Sequence, residues 1–174
     1  YISTDDVVDF TSFSINKINN DIVEISGVKG YPATDTYKVS INYFNGYKAS
    51  GQLTISGPNA LEKAQFTSEL IWKRLKNAGI SFDDYLTEYL GVSSCHGNKI
   101  KEYKSNSNEV VIRLSVRDID KSKVIRFGKE LAPVITSGPP GVTGFSGGRP
   151  RPQEIIAFWP CLINKKHINI EVVE

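Results

Sequence analysis

The stretch YKASGQLTISGP, residues 47–58, decides the fold that the sequence predicts. Every second residue from Tyr47 to Ile55 is apolar or glycine, and the residues between them are polar or charged. This is the period of a strand with one buried face. Pro58 follows at once and suits the first position of a helix, where its missing N–H costs no hydrogen bond. The stretch therefore predicts a strand that passes directly into a helix.

The patterns downstream continue this order. The predicted apolar face of the first helix consists of Leu61, Ala64, Ile71, Leu75 and Ala78, with Gly79 as its C-terminal cap. Strands are predicted at 85–90 and 110–116 from their apolar periods. A second helix follows, capped by Asp118 or Asp120. Its predicted buried face consists of Val124, Phe127, Leu131 and Val134 or Ile135. The apolar run at 155–159 predicts a strand covered on both faces.

Further strands are predicted on either side of this series. Residues 10–26 indicate a hairpin that turns at 19–21, because Asn and Asp tolerate left-handed backbone angles. A second hairpin is predicted from the strand period at 37–43 followed by Asn45-Gly46, a strong turn signal. Residues 169–173 predict a last strand. The fold class is α+β, with a ferredoxin-like βαββαβ core, additional N-terminal hairpins and a C-terminal strand.

Composition restricts the class of protein. The 174 residues fit a single domain over 1–174, and a net charge of +2 gives no case for a nucleic-acid surface. No apolar run is long enough to cross a bilayer and no signal peptide is recognisable, so no membrane partner is expected. The two cysteines, Cys95 and Cys161, could pair, but two free thiols in a reducing compartment are favoured, so a cytoplasmic location is expected. The chain starts at Tyr1 and has no methionine, which predicts a piece of a longer polypeptide.

The segment between the second helix and the last core strand is the strongest candidate for a binding site. Residues 137–152 are rich in Gly and Pro and contain two arginines, and long loops without a period of their own are often functional. Backbone N–H groups and guanidinium groups suit a carboxylate or phosphate. The candidate ligand-binding residues are Ser137, Gly138, Gly141, Thr143, Gly144, Arg149 and Arg151. The alternative is a surface loop that packs on another protein surface, for which Phe145 is the candidate contact.

Other groups are weaker candidates. Ser56-Gly57-Pro58-Asn59 opens the first helix, but we expect this start to lie far from the end of the second helix, so that the two Gly/Pro signals form separate places. Cys95, His96, Cys161 and His167 could supply four zinc ligands, yet their spacing matches no zinc finger. No metal and no cofactor are therefore predicted, and Lys38 is interpreted as a solvated strand residue.

Several blocks together resemble the acyclic terpene utilisation (AtuA) family. The stretch GVKGYPATDTYKVS at 27–40 is similar to the family pattern G-x-x-G-x-P-x-x-D-x-x-K-V-S, in which Asp35 and Lys38 occupy motif positions without an assigned role. STDDVVDF at 3–10, SGPPG at 137–141 and IIAFW at 155–159 follow in the family's order. The resemblance implies a C-terminal domain whose N-terminal partner domain lies elsewhere in the polypeptide.

The resemblance also implies a function. Family context implies a cytoplasmic role in the catabolism of acyclic terpenoids or related acyl-CoA compounds, with no catalytic residue to carry over. One hypothesis is a domain that binds a carboxylate or CoA-thioester ligand through the Gly/Pro-rich loop. The other is a non-catalytic domain for oligomerisation or docking on the N-terminal domain. The expected partners are that domain, a second copy in a homo-oligomer and the small-molecule ligand.

Overall fold

The computed structural model describes residues 1–3, 5–99, 107–144 and 147–171. The chain divides into two compact units, one formed by Tyr1–Tyr43 with Phe158–Glu174 and the other by Phe44–Ala157. The strands are β1 (Asp6–Asp9), β2 (Ser14–Lys17), β3 (Val23–Ser26), β4 (Lys29–Pro32), β5 (Thr36–Ser56), β6 (Asp84–Leu90), β7 (Glu109–Asp118) and β8 (Gln153–Asn164). The helices are α1 (Ala60–Asn77) and α2 (Lys121–Ser137), with 3₁₀ turns at Gly97–Lys99 and Lys165–His167.

A four-stranded sheet with the order β6-β7-β5-β8 is the centre of the fold. β7 pairs antiparallel with both β5 and β6, and the β5 register runs from Tyr47 opposite Asp118 to Ser56 opposite Glu109. Because side chains alternate across a strand, Leu53 and Ile55 face the same side as Ile112 and the rest of the apolar set of β7. The predicted α+β class, with two helices in the described residues and mostly antiparallel strands, is confirmed.

Both helices contribute to one hydrophobic core with that face of the sheet. The fully buried large side chains include Leu53, Ile55, Ile71, Leu75, Ile112, Leu114, Phe127 and Leu131. The helices also contact each other, because the Trp72 and Phe127 rings stack with centroids 6.0 Å apart. The buried carboxylate of Glu130 accepts hydrogen bonds from Arg74 Nε at 2.8 Å and pairs with Arg126 Nη2 at 2.5 Å. These contacts fix the two helices side by side.

The predicted hairpin at Asn45-Gly46 is wrong, because β5 continues through both residues. A type I′ turn requires a positive φ at both central residues. Only Gly46 of the two has one, at 87°. A Cβ at Gly46 would lie 2.8 Å from the carbonyl oxygen of Asp118, and the Asn45 side chain accepts a hydrogen bond from Arg117 Nη2 at 2.8 Å. This pair of residues therefore fits β5 closely against β7 instead of reversing the chain.

The helix predictions are confirmed with small corrections. α1 begins at Ala60 and not at Pro58, since the N–H of Gly57 bonds to the carbonyl of Asn108 and holds this segment outside the helix. Ala78 is exposed, whereas the other predicted residues of its face are buried or half-buried. Asp120 caps α2, with its carboxylate accepting from the Ser122 N–H at 2.8 Å. The predicted residues of the α2 face, Val124, Phe127, Leu131 and Val134, are buried.

β8 is not covered on both faces as the apolar run predicts. It lies at the edge of the four-stranded sheet, and the residues Ile156, Phe158, Trp159 and Leu162 are more than half exposed. An uninterrupted apolar run has no period from which to tell a central strand from an edge strand. The burial prediction for this strand is therefore wrong.

The unit that contains the N-terminal strands has two small antiparallel sheets. β2 pairs with β3, from Ser14 opposite Ser26 to Lys17 opposite Val23, which confirms the predicted hairpin at 10–26. β1 pairs antiparallel with β4, a pairing that the sequence patterns did not predict. The predicted C-terminal strand at 169–173 is wrong for residues 169–171, which form no strand, while residues 172 and 173 lie outside the described residues. The 3₁₀ turn at Lys165–His167 is the last element of regular secondary structure among the described residues.

Asp118, at the end of β7, is a buried carboxylate held by specific partners. It accepts hydrogen bonds from the Asp120 N–H at 2.8 Å and from Lys123 Nζ at 2.9 Å. Burial acts to raise the pKa of Asp118, but the Asp120 N–H and the Lys123 ammonium outweigh it and hold the pKa below its usual range. The ionised carboxylate thus stabilises the junction between β7 and α2.

Replacement of this carboxylate should have a pH-dependent effect on stability. Asp118→Asn should lower the free energy of unfolding at pH 7 by about 1–3 kcal/mol, because a buried charge-assisted network loses its anion. A depressed folded-state pKa contributes stability that is present above the unfolded-state pKa of about 3.9 and lost as pH falls through the folded-state pKa. The difference in unfolding free energy between Asp118→Asn and the wild type should therefore shrink below about pH 4. Urea unfolding at several pH values measures it.

The exposed carboxylate of Asp21, in the β2–β3 turn, offers the matched control. Asp21→Asn should leave the unfolding free energy nearly unchanged across the same pH range, since surface substitutions usually have small effects. A difference between Asp118→Asn and wild type that stays constant down to the lowest pH at which both fold would contradict the assigned role of the charge.

Candidate functional site

The start of α1 and the end of α2 lie together at one end of the central strands β5 and β7. β5 leads into α1 at Ser56, which is opposite Glu109 at the beginning of the antiparallel strand β7. α2 starts at the far end of β7 and runs back, so its last turn returns to the start of α1. The expectation that the two Gly/Pro signals form separate places is therefore wrong. The antiparallel register of β5 and β7 joins them.

Residues at the start of α1 and residues at the end of α2 line one groove of about 940 Å³. Its lining consists of Pro58, Asn59, Glu62, Lys63, Phe66 and Leu70 from the α1 side and Ser137, Gly138, Pro139 and Pro140 from the α2 side. This volume falls within the range of small-molecule sites, roughly 300–1,000 Å³. The groove is therefore the candidate functional site.

The segment after α2 is fastened to the end of β5. The Ser56 N–H donates to the Gly141 carbonyl at 2.8 Å, and the Thr143 N–H and Oγ1 donate to the Thr54 carbonyl at 2.8 and 3.0 Å. Between them, Val142 is buried and forms a bridge with Ile55. The first part of the Gly/Pro-rich loop is thus a fixed wall of the groove.

Two glycines permit this close packing. Gly141 has a φ of 96°, and a Cβ there would meet Lys63 Nζ at 2.8 Å and the Ser56 carbonyl oxygen at 2.9 Å. A Cβ at Gly138 would contact the carbonyl oxygen and a methyl group of Val134 in the last turn of α2. Gly138 and Gly141 are therefore required by the packing that forms the groove.

The long walls of the groove are apolar. Phe66 is 59% exposed on α1, and Leu70 lies one turn further along the same side. Pro139 and Pro140 face them from the segment after α2. An exposed phenylalanine beside a leucine and two prolines offers a surface that an aliphatic chain can cover.

One lysine, Lys63, lines the groove. It is half-buried, and a Cβ at Gly141 would lie 2.8 Å from its Nζ. Within the described parts of the chain, no carboxylate lies within ion-pair distance of this ammonium group. Glu62, its neighbour in sequence, also lines the groove but is exposed. An anionic ligand could pair with Lys63 without displacing an existing partner.

The two arginines of the loop lie apart from the groove. Arg149 and Arg151 are exposed and flank Pro150. A Cβ at Gly51 would meet Pro150 Cγ at 2.7 Å, and one at Gly128 would contact the Pro150 carbonyl oxygen, so Pro150 lies in a notch at the middle of α2. Of the predicted ligand residues, Ser137 and Gly138 line the groove, and Gly141 lies beside Lys63 without lining it.

Three other predicted residues of the loop stand as follows. Thr143 forms hydrogen bonds with β5, as described above. A Cβ added at Gly144 would have no neighbour within 4 Å among the described residues. Phe145, the predicted docking contact, lies outside the described residues. The loop therefore separates into a packed part near α1 and a part that carries the arginines.

Asp35 and Lys38, the family-motif positions, belong to the other compact unit. The Asp35 carbonyl accepts a hydrogen bond from the Lys165 N–H at 2.9 Å. Lys38 is exposed and lines a depression of about 410 Å³ together with Tyr37 and Lys165, whose ammonium group lies 5.2 Å from the Tyr37 ring centroid. Asp35 thus holds the backbone that follows β8, and Lys38 borders a small surface depression.

Neither cysteine forms a disulfide. Cys95 is exposed and Cys161 is half-buried, and both are free thiols. In the part of the chain that the structure describes, no group of three His, Cys, Asp or Glu side chains could hold a metal ion. The described residues also contain no helix long and apolar enough to cross a membrane.

Sequence reasoning missed Lys63 and Phe66. Phe66 lies outside the buried stripe of Ala64, Ile71 and Leu75, so the period of the helix assigns it to the solvent side. A large aromatic residue off the buried stripe is the signal that could have marked this surface. No sequence signal sets Lys63 apart from the other lysines of α1.

A model of one protein family, described as "Acyclic terpene utilisation family protein AtuA", matches residues 1–173. The match covers both compact units. No curated protein and no solved structure matches the chain.

The packing at Gly141 can be tested directly. Gly141→Ala should lower the free energy of unfolding by about 1–3 kcal/mol, because the added methyl group meets the Ser56 backbone and an alanine is strained at positive φ. Gly144→Ala is the matched control from the same segment, since its Cβ would lie more than 4 Å from the described residues that are not its chain neighbours, at an ordinary φ. Thermal or urea unfolding measures both variants. Equal stability of the two would mean that the segment is not fastened to β5 as described.

Proposed function

Because this chain belongs to the acyclic terpene utilisation family AtuA, we propose that its Phe44–Ala157 unit binds an anionic aliphatic ligand. The ligand is a carboxylate or a CoA thioester, and it lies in the groove between the start of α1 and the end of α2. The domain serves the catabolism of acyclic terpenoids or related acyl compounds, in keeping with the family's description.

We infer further that this unit is a ferredoxin-like domain. From β5 to β8 the elements follow in the order strand, helix, strand, strand, helix, strand, and the sheet order is β6-β7-β5-β8. Both helices bury their apolar faces in the same core. This order and the single helical layer support the ferredoxin-like arrangement.

The wider setting of the domain is also a proposal. We propose that residues 1–174 act as one C-terminal domain in the cytoplasm, docked on an N-terminal domain of the same polypeptide. The family blocks at 27–40 and 137–141 support the first part, that residues 1–174 act together, because both compact units carry part of the family pattern.

The single observation that supports ligand binding is the groove itself. It combines apolar walls with one ammonium group that lacks a protein partner in the described residues. Small-molecule sites typically pair a largely apolar lining with a few placed polar groups. An anion at Lys63 would also lie near the first turn of α1, where free N–H groups and the helix dipole favour negative charge.

The role of Lys63 gives the first test. Decanoate and decanoyl-CoA would be titrated against the protein in thermal-shift measurements, where a ligand at 100 times its Kd adds about 2.7 kcal/mol of stability. Lys63→Gln should abolish most of the shift, because the charge-assisted hydrogen bond to the anion is lost. Arg149→Ala/Arg151→Ala should keep it, since these side chains lie outside the groove.

Lys73→Gln supplies the matched control, because Lys73 is an exposed lysine of the same helix that does not line the groove. It should bind both probes as the wild type does. A shift that survives in Lys63→Gln but disappears in the arginine variant would move the anion site to the 149–151 segment. The absence of a shift with either probe would contradict ligand binding by this domain.

A second candidate function is supported by the unit that carries the N-terminal strands. Among its described residues none is buried, although many are apolar. Ile15 and Ile25 stand opposite each other on β2 and β3, and each is 61% exposed. A two-stranded hairpin is only marginally stable alone in water. We propose that a second copy of the chain covers this face in a two-fold dimer, which would bury both isoleucines of both copies.

The dimer proposal has its own test. Ile15→Thr/Ile25→Thr should reduce the mass measured by light scattering after size exclusion from dimer to monomer, because threonine keeps strand propensity but removes apolar area. Ser14→Thr/Ser26→Thr, on the opposite face of the hairpin, is the matched control and should leave the mass unchanged. A wild-type chain that is monomeric up to high micromolar concentration would exclude a second copy as the cover.

A further inference from the structure

We propose, on the basis of the function proposed above, that the groove's ligand is a free aliphatic monocarboxylate and not its CoA thioester. The inference rests on three features of the groove: its charge, the position of its single cation and its length.

The groove offers one counter-charge to an anionic ligand. Its charged lining residues are Lys63 and Glu62, and of these two Lys63 can pair with a carboxylate. A CoA moiety carries a pyrophosphate and a further phosphate, and phosphates are usually held by several arginines or lysines. Arg149 and Arg151 are not among the residues that line the groove. The described lining therefore offers one counter-charge and no phosphate cluster.

The position of that cation fits an acid head group. Lys63 lines the groove from the first part of α1, and a Cβ at Gly141 would lie 2.8 Å from its Nζ. A carboxylate bound there gains a charge-assisted hydrogen bond with a half-buried ammonium. A thioester carbonyl is uncharged and gains only a weaker, neutral bond at the same place. The single cation therefore favours the acid over its thioester.

The length of the apolar wall sets the length of chain that it can cover. Lys63 and Leu70 are seven residues apart on α1, which corresponds to about 10 Å at a rise of 1.5 Å per residue. With carbon–carbon bonds of about 1.5 Å in a zigzag, an extended chain of about eight carbons covers this distance. Phe66 lies between the two residues and would contact the middle of the chain. Pro139 and Pro140 form the opposite wall.

Isothermal titration calorimetry on the full chain tests this inference with four probes: octanoate, octanoyl-CoA, CoA and 1-octanol. Octanoate should bind at least ten times more tightly than each of the other three. Lys63→Gln should weaken octanoate binding at least tenfold, whereas Lys63→Arg should retain it. Glu62→Gln should strengthen it, because a negative charge beside the carboxylate is removed.

The outcomes separate the two proposals. Octanoyl-CoA that binds as tightly as octanoate, or more tightly, with binding lost in Lys63→Gln, would overturn the free-acid inference and leave the proposed ligand-binding function standing. Octanol that binds as well as octanoate would also overturn it, because the ammonium would then contribute nothing. The absence of binding by all four probes would overturn the proposed function together with this inference.

Discussion

The antiparallel pairing of β5 with β7 is the constraint on which the rest of the helix-containing unit depends. It aligns ten consecutive residue pairs, from Tyr47 opposite Asp118 to Ser56 opposite Glu109. Both strands lead into helices at their carboxyl ends, so the antiparallel pairing places the two helix starts at opposite ends of the strands. The end of α2 must then return to the start of α1. The groove, the bond between Ser56 and Gly141 and the position of Lys63 all follow from this register.

Much of this unit could be predicted from the sequence because its signals are local. The alternation in β5 and β7 and the apolar face of α2 are consequences of burial on one side, and burial on one side leaves a period. Asn45-Gly46 shows a place where a prediction from neighbouring residues fails. The dipeptide suits a tight turn, but a contact with the Asp118 backbone, far away in sequence, uses the same freedom of Gly46 to keep a long strand in register. Tertiary contacts of this kind leave no mark on the neighbouring residues.

The residues of the candidate site also fall into those that the sequence could predict and those that it could not. Ser137, Gly138 and Gly141 could be found because glycine and proline interrupt the helix pattern visibly. The separation of these residues from Arg149 could not, because it depends on Pro150 filling a notch between Gly51 and Gly128. Composition treats the loop as one segment, whereas packing fastens its first part to β5 and its last part to α2. Lys63 enters the site only through the three-dimensional proximity of two helix ends.

The contrast between the two compact units is also a physical argument about function. The unit with α1 and α2 buries a full set of large apolar side chains, so its groove is formed by elements that are stable without a partner. The other unit exposes Ile15, Ile25 and Trp159 and buries none of its described residues. Exposed apolar surface of this extent marks an interaction surface more often than a small-molecule site, because it lacks enclosure and convergent polar groups. The two proposals, ligand binding and assembly, therefore concern different units of one chain, and a substitution in one unit tests the proposal made for that unit.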